Sequence, residues 1–332
     1  MKRKKNSGQR GNSMEQFDII IVGAGPAGIA AGVEAKLAGL NDVVVLEKTD
    51  HHCDTIVSLY HEGKRVDSVY RKVSVEPMGA LSFDTHDRES FLAWMDGVIA
   101  DHGLDIRYKH EVFEINVRDG GFEVQSGGGT LAAKTVITAI GIFGKPVKPS
   151  YKLASDVKDF IFFSIPAQPP AGQRILVVGG GDSAAEAACF LSDTNQVVLS
   201  YRRSEFFRIN EQNLCTLDRC CHAENLETRL GIDIEAVDSA EGGVKVTYSD
   251  GETDVYDAIY YFLGGSTPRA FLEKAGVRYS GKSPMVDEHG ETDIPGLFLA
   301  GDLVAEKGTI MAAFNSAAAV IKRIRQTYLH PA

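Results

Sequence analysis

One strand–turn–helix signature occurs twice in this chain, and the second copy interrupts the fold that the first begins. Residues 17–22 (FDIIIV) form a short apolar run that stops at glycine, as a buried parallel strand does. Gly23-Ala24-Gly25-Pro26-Ala27-Gly28 follows; an alanine-rich helix is expected over 26–40, and 42–47 (DVVVLE) as the next strand. Farther on, 174–178 (RILVV) runs into Gly179-Gly180-Gly181-Asp182-Ser183-Ala184, with a helix expected over 182–191 and a strand over 196–201. Between the copies, 50–90 reads as irregular and polar, 88–102 as a helix, and 111–129 as a small antiparallel sheet with glycine turns. A buried strand is expected over 135–140, echoed after the second copy by 244–248 and 258–263. A last buried strand over 296–300 ends at Gly301-Asp302, and a closing helix spans about 309–328.

The glycine spacing has a physical meaning. The first glycine allows the tight turn, the second lets a pyrophosphate approach the backbone, and the third lets helix pack on strand. The helix start then offers free N–H groups and the positive end of its dipole to the anion. Glu47 ends the second strand, where a carboxylate accepts from a ribose diol. The alternative for Gly23, Gly25 and Gly28 is a packing turn without ligand, which the strand before and helix after disfavour. In the second copy Ala184 holds the third position, a tolerated change. No acid follows its second strand; Tyr201-Arg202-Arg203 and Arg208 stand there instead. Guanidinium groups bind a 2′-phosphate that an acid would repel, so NADPH is expected over NADH. A solvated arginine cluster is the competing reading. Together the copies predict an α/β chain of two Rossmann-like three-layer domains, the second inserted in the first.

Bulk properties narrow the class of partner. The chain has 332 residues, long enough for about two domains, each able to bury a core. Net charge is -10, although the first thirteen residues carry Lys2, Arg3, Lys4, Lys5, Arg10 and no acid. The remainder is more acidic still, which argues against nucleic acid or an anionic membrane. No apolar run reaches the roughly 18 residues of a membrane span. The basic start lacks an apolar segment behind it, so it reads as a disordered leader or as sequence upstream of a start at Met14. Five irregularly spaced cysteines do not make a secreted disulfide framework. A cytoplasmic protein is expected.

In order along the chain, residues 23–28, Glu47, 138–141 (TAIG), 179–184, 201–203 (YRR) and 296–302 (GLFLAGD) resemble the low-molecular-weight thioredoxin reductases. The resemblance spans 17 to about 328. It implies FAD and NADPH as cofactors and a homodimer. It places FAD on a domain made of 14–145 and 265–332, NADPH on 146–264, and the leader at 1–13. Pro146 and Pro149, then Gly264, Gly265 and Pro268, mark the linkers. Carried over by position, Asp302 after Gly301 holds the ribityl chain, and Thr309, Ile310 and Met311 face the flavin pyrimidine. Val112 touches adenine, and Lys48, His52 and Gly141 complete the flavin site.

The sequence departs from that family where its chemistry matters. The dithiol that precedes the second fingerprint there is replaced by 162–170 (FFSIPAQPP), without cysteine. Residues 47–52, 60–67, 201–210 (YRRSEFFRIN) and 264–268 resemble more closely the thioredoxin-reductase-like NADPH:flavodoxin/quinone reductases. That likeness implies electrons leaving reduced flavin singly to flavodoxin or ferredoxin, or in pairs to a quinone. No catalytic acid or base is expected, because the cofactors carry the chemistry. Two alternatives stand beside it: a disulfide reductase using Cys53 or a separate dithiol protein, and a non-enzymatic NADPH- or redox-sensing flavoprotein. A flavin monooxygenase is disfavoured, since its His-Ser pair ahead of the second fingerprint is here Phe163-Ser164.

Smaller signals carry bland and sharp readings together. Cys53 is either a flavin-proximal thiol or an idle buried residue. Cys215, Cys220 and Cys221 lack the spacing of a metal site, and Cys189 reads as core. Lys64, Arg65, Arg71 and Lys72 form either a steering patch for an acidic redox partner or a solvated loop.

Overall fold

The computed structural model describes residues 14–68, 75–142, 146–151, 153–166, 168–223, 225–264, 268–305 and 308–329. The expected leader, Arg71, Lys72 and Gly265 lie outside them. The chain opens with β1 (Glu15–Val22), α1 (Pro26–Leu37), β2 (Val43–Leu46), a short α2 (Asp54–Leu59) and α3 (Arg88–Asp101). Then come β3 (Ile106–Arg107), β4 (Val112–Arg118), β5 (Gly121–Ser126) and β6 (Gly129–Thr138). They form a sheet of order β3-β2-β1-β6-β5-β4, parallel at its centre, antiparallel through β4, β5 and β6. Ile19, Ile20 and Ile21 are each fully buried, which a strand achieves only when both faces of its sheet are covered.

A second sheet follows, from β7 (Ile161–Phe162), β8 (Arg174–Val178), α4 (Asp182–Ser192), β9 (Gln196–Tyr201), α5 (Glu211–His222) and β10 (Leu226–Leu230). Next come β11 (Ile234–Ala240), β12 (Gly243–Tyr248), β13 (Thr253–Tyr256) and β14 (Ala258–Tyr261). Its order, β10-β9-β8-β14-β7, is parallel throughout. Helices α4 and α5 cover one face, and the antiparallel β11-β12-β13 meander covers the other. After α6 (Arg269–Lys274), β15 (Leu297–Leu299) returns to pair with β6, and α7 (Ile310–Thr327) packs beside α1. The second unit is thus inserted in the first, as expected.

Register brings the carboxyl ends of the central strands to one edge. Val22 lies between Leu46 and Thr138, and Thr138 lies beside Leu299. The second sheet repeats the arrangement, with Val178 between Ser200 and Tyr261. Ligands of open α/β sheets bind outside such carboxyl ends. Among the described residues, no helix is long and apolar enough to cross a membrane.

Several elements differ from the sequence reading, among them α6 and β7, which it did not expect. Helix α2 forms inside the stretch read as irregular, and α1 ends at Leu37, where Gly39 turns the chain at φ +80°. Helix α5, not expected, starts at Asn210, whose side chain accepts the N–H of Asn213 at 2.9 Å.

Candidate functional site

The first loop is held by contacts that its glycines make possible. Gly23 sits at φ +101°, and its N–H donates to the Leu46 carbonyl at 2.8 Å. A Cβ on Gly28 would lie 1.9 Å from the Gly23 carbonyl oxygen, so helix and turn meet at backbone contact. Gly25 is extended and caps α1 without any side chain, with Pro26 as the first helical residue. Glu47 is only 5% exposed and ties the loop to β2. Its Oε2 accepts the Ala24 N–H at 2.8 Å, and its Oε1 accepts the Thr49 N–H and hydroxyl at 3.0 and 2.9 Å. A carboxylate offers about four acceptor positions, so one remains for a further donor. The expected ribose ligand is therefore also the anchor of the phosphate turn.

The same edge gathers most of the other expected residues. Gly301, at φ +73°, donates its N–H to Ser316 Oγ at 2.8 Å, and its Cα faces Ala27 of α1 closely. Asp302 follows; burial pushes its carboxyl above the ordinary value of 3.8, and among the described residues it accepts no hydrogen bond. Gly308 lies against it, just before Thr309, whose hydroxyl accepts the Ala312 N–H at 3.0 Å and so caps α7. Ile310 is half-buried and Met311 buried. His52 is 7% exposed, with Nε2 3.0 Å from Asp96 Oδ1. Val112 opens β4 opposite Ser126, which pairs with the first residue of β6, so register does not bring it to the end of β6 at Thr138. Gly141 follows β6 at φ +63°, and exposed Lys48 pairs with Asp54 at 3.5 Å.

Cys53 is placed beside the loop but turned inward. Its N–H donates to the Ala24 carbonyl at 2.9 Å, while its side chain lies in the core under α1. Burial, with the Glu47 and Asp96 carboxylates adding to it, pushes the thiol far up, against thiolate formation. Cys189, Cys220 and Cys221 pack between α4 and α5, and burial raises Cys189 and Cys221.

The second loop has the same outline and different fastenings. Gly179 donates to the Ser200 carbonyl at 3.0 Å, and a Cβ there would meet the Phe262 carbonyl oxygen at 2.6 Å. The Tyr201 ring covers Gly180, where a Cβ would sit 2.1 Å from it. Gly181 caps α4, again without a side chain. Asp182 Oδ1 accepts from Asn210 N, Asn210 Nδ2 and Asn213 Nδ2 at 2.7, 2.8 and 3.1 Å, bracing the start of α5 against α4. Ser183 is exposed and Ala184 buried. Arg202, Arg203 and Arg208 are all exposed, and among the described residues Arg202 and Arg203 form no ion pair.

The presumed steering patch has another use. Lys64 Nζ lies 2.7 Å from Glu186 Oε2 on α4, and the His61 ring stacks on Phe190 with centroids 4.2 Å apart at 15°. These contacts join the loop after α2 to the fingerprint helix of the second unit. Arg65 pairs with Asp67. Burial lowers the His61 pKa from its ordinary 6.5. Sequence reading missed this latch, because it needs Phe190 and Glu186 from a distant helix.

Whether the two loops suit dinucleotides is decided by the helix starts. Among the described residues, five helices exceed eight residues; Asp87, Asn210 and Thr309 cap α3, α5 and α7 with side chains. Of these five, only α1 and α4, behind the glycine turns, lack a side-chain cap. Their first N–H groups are left for an anion. Two buried polar atoms near the first edge also lack a partner among the described residues: Thr138 Oγ1 at the end of β6, and His52 Nδ1. The residues fit two diphosphate-bearing cofactors.

Comparison with known proteins agrees with this geometry. Residues 20–301 match the family described as pyridine nucleotide-disulphide oxidoreductase. A ferredoxin–NADP reductase of Ignicoccus hospitalis is 25% identical over 306 residues, covering 89% of this chain and 93% of its own. One from Rickettsia massiliae is 26% identical over 330 residues, covering 95% and 93%. In fold, a bacillithiol disulfide reductase from Staphylococcus aureus superposes with a TM-score of 0.81 at 20% identity, covering 95% of this chain and 100% of that one.

Proposed function

The chain belongs to the pyridine nucleotide-disulphide oxidoreductase family, and from that premise we propose an FAD-dependent NADPH oxidoreductase that passes electrons to a ferredoxin- or flavodoxin-class protein, or to a quinone. The observation that carries it is the pair of uncapped helix starts, one beside a buried carboxylate and one beside exposed arginines. FAD is assigned to Gly23, Gly25, Gly28, Glu47, Gly301 and Asp302, and NADPH to Gly179, Gly181, Arg202, Arg203 and Arg208. When bound, these cofactors supply hydride acceptance and one-electron release, which no side chain provides.

The chain's own residues position and insulate. Glu47 holds the turn at Ala24 in the conformation that bares the α1 N–H groups. Asp302, desolvated and among the described residues without a donor, is suited to accept from a sugar hydroxyl. Asp182 keeps α5 against α4, so the arginine segment between β9 and α5 is fixed relative to the turn. The acceptor is read from the relatives' names and from the thiols. A disulfide reductase needs an accessible, activated sulfur, and Cys53 is 1% exposed with its thiol pushed up.

Anaerobic mixing with NADPH and with NADH, followed by ferredoxin, flavodoxin, quinone and thioredoxin in turn, tests the whole proposal. Rapid bleaching by NADPH and oxidation by the first three is expected. Efficient thioredoxin reduction would overturn the choice of acceptor.

A further inference from the structure

The segment between β9 and α5 contains a large apolar side chain that the core does not use. Phe207 is 52% exposed. The guanidinium carbon of Arg203 lies 4.4 Å from its ring centroid and that of Arg208 lies 5.8 Å from it. Resting on the assignment of NADPH to the second loop, we propose that Phe207 is a positioning residue for coenzyme choice: it holds Arg203 and Arg208 as a preformed cradle for the 2′-phosphate.

The surrounding geometry fixes that pedestal to the phosphate turn. Phe206 stacks on Tyr201 at 5.6 Å and 5°, and Tyr201 itself lies over Gly180. The Tyr201 and Phe207 rings are 6.3 Å apart. Arg208 forms a backbone bridge with Gly181, the residue that caps α4. Both ends of the segment are therefore tied to the fingerprint, and Phe207 is left facing solvent with two cations against it. Stacked on the ring by its face, the Arg203 guanidinium directs its in-plane N–H groups outward, where they suit a phosphate. The stack also removes side-chain freedom before the coenzyme arrives, so less is lost on binding. NADH carries no 2′-phosphate and gains nothing from the cradle.

The test compares Phe207→Ala, Phe207→Leu, Phe207→Trp and Arg203→Ala, measuring kcat and KM with NADPH and with NADH. The exposed position keeps folding out of the comparison, which thermal melting checks. Phe207→Ala and Phe207→Leu should raise KM for NADPH about 10-fold, leaving kcat and the NADH constants unchanged, and Phe207→Trp should restore the native value. A native NADPH KM in Phe207→Ala, with Arg203→Ala impaired, overturns the pedestal and leaves the NADPH site standing. Equal losses for both coenzymes overturn it too, since Phe207 would then serve a part they share. A native value in Phe207→Leu reduces the ring to simple packing and sinks the proposal. If Arg203→Ala itself is unchanged toward NADPH, the site assignment fails instead.

Discussion

The two glycine turns can be laid over one another residue by residue, and they differ most where the second strand ends. Pairing of Val22 with Leu46, and of Val178 with Ser200, makes Glu47 and Tyr201 equivalent positions. Glu47 takes the N–H of Ala24, the middle residue of the first turn. Tyr201 lays its ring on Gly180, the middle residue of the second. A hydrogen bond tolerates a methyl group there; a ring in contact with the backbone does not. The third position shows the reverse, since Gly28 touches the Gly23 carbonyl while Ala184 is accommodated. One topology thus reaches the same uncapped helix start by two fastenings, and the choice also sets the charge beside it, a carboxylate in the first and a neutral ring in the second.

Substitution at the third position should separate the copies most. Gly28→Ala places a methyl into a backbone oxygen 1.9 Å away, and overpacking of that kind costs about 3 kcal/mol. The purified variant is expected to retain little flavin, read from its visible spectrum, and to melt earlier. Ala184→Gly should cost about 1 kcal/mol as a helical glycine and keep its NADPH KM. Equal tolerance at both positions would break the comparison.

Charge at the ribose comes next. Removing one charge-assisted contact costs about 1.5–3 kcal/mol, so Arg202→Ala should raise the NADPH KM by at least about 10-fold. The NADH constants and the flavin content should hold. A third contrast concerns the fastenings themselves. Glu47→Gln replaces one acceptor oxygen by a donor facing Ala24 or Thr49, and an unsatisfied buried group costs about 1–3 kcal/mol. Tyr201→Phe keeps the ring on Gly180 and should stay within about 0.5 kcal/mol of the native melt.

The turns were legible because a glycine spacing is a local backbone requirement written in consecutive residues. Strand edges were legible too, since β9 ends at Tyr201 as its apolar run does. What escaped was set by distant partners. Helix α5 is mostly polar, and Asp182 holds its start from another helix. Lys64 and Arg65 look like a cationic surface in sequence, yet both face carboxylates, one of them across the two units. Cys53 stands near the site in sequence and in backbone, but its side chain direction is fixed by a left-handed φ of +52°, which periodicity does not reveal.

The contact between the units supplies the gentlest contrast, because it can be titrated. Burial disfavours the His61 imidazolium, so its pKa in the folded protein lies below 6.5. The stability that the neutral ring contributes is fully present above pH 6.5 and is lost as pH falls from 6.5 through the folded value, because the unfolded chain takes up the proton first. His61→Phe keeps a flat ring against Phe190 and removes the titration. The melting temperatures of the two proteins should run parallel at pH 8 and separate below pH 6.5, with the native chain falling faster. Glu186→Gln should weaken the neighbouring Lys64 pair at every pH without creating that divergence. Parallel curves down to pH 5 would mean that the stack on Phe190 does not distinguish the charge states of His61.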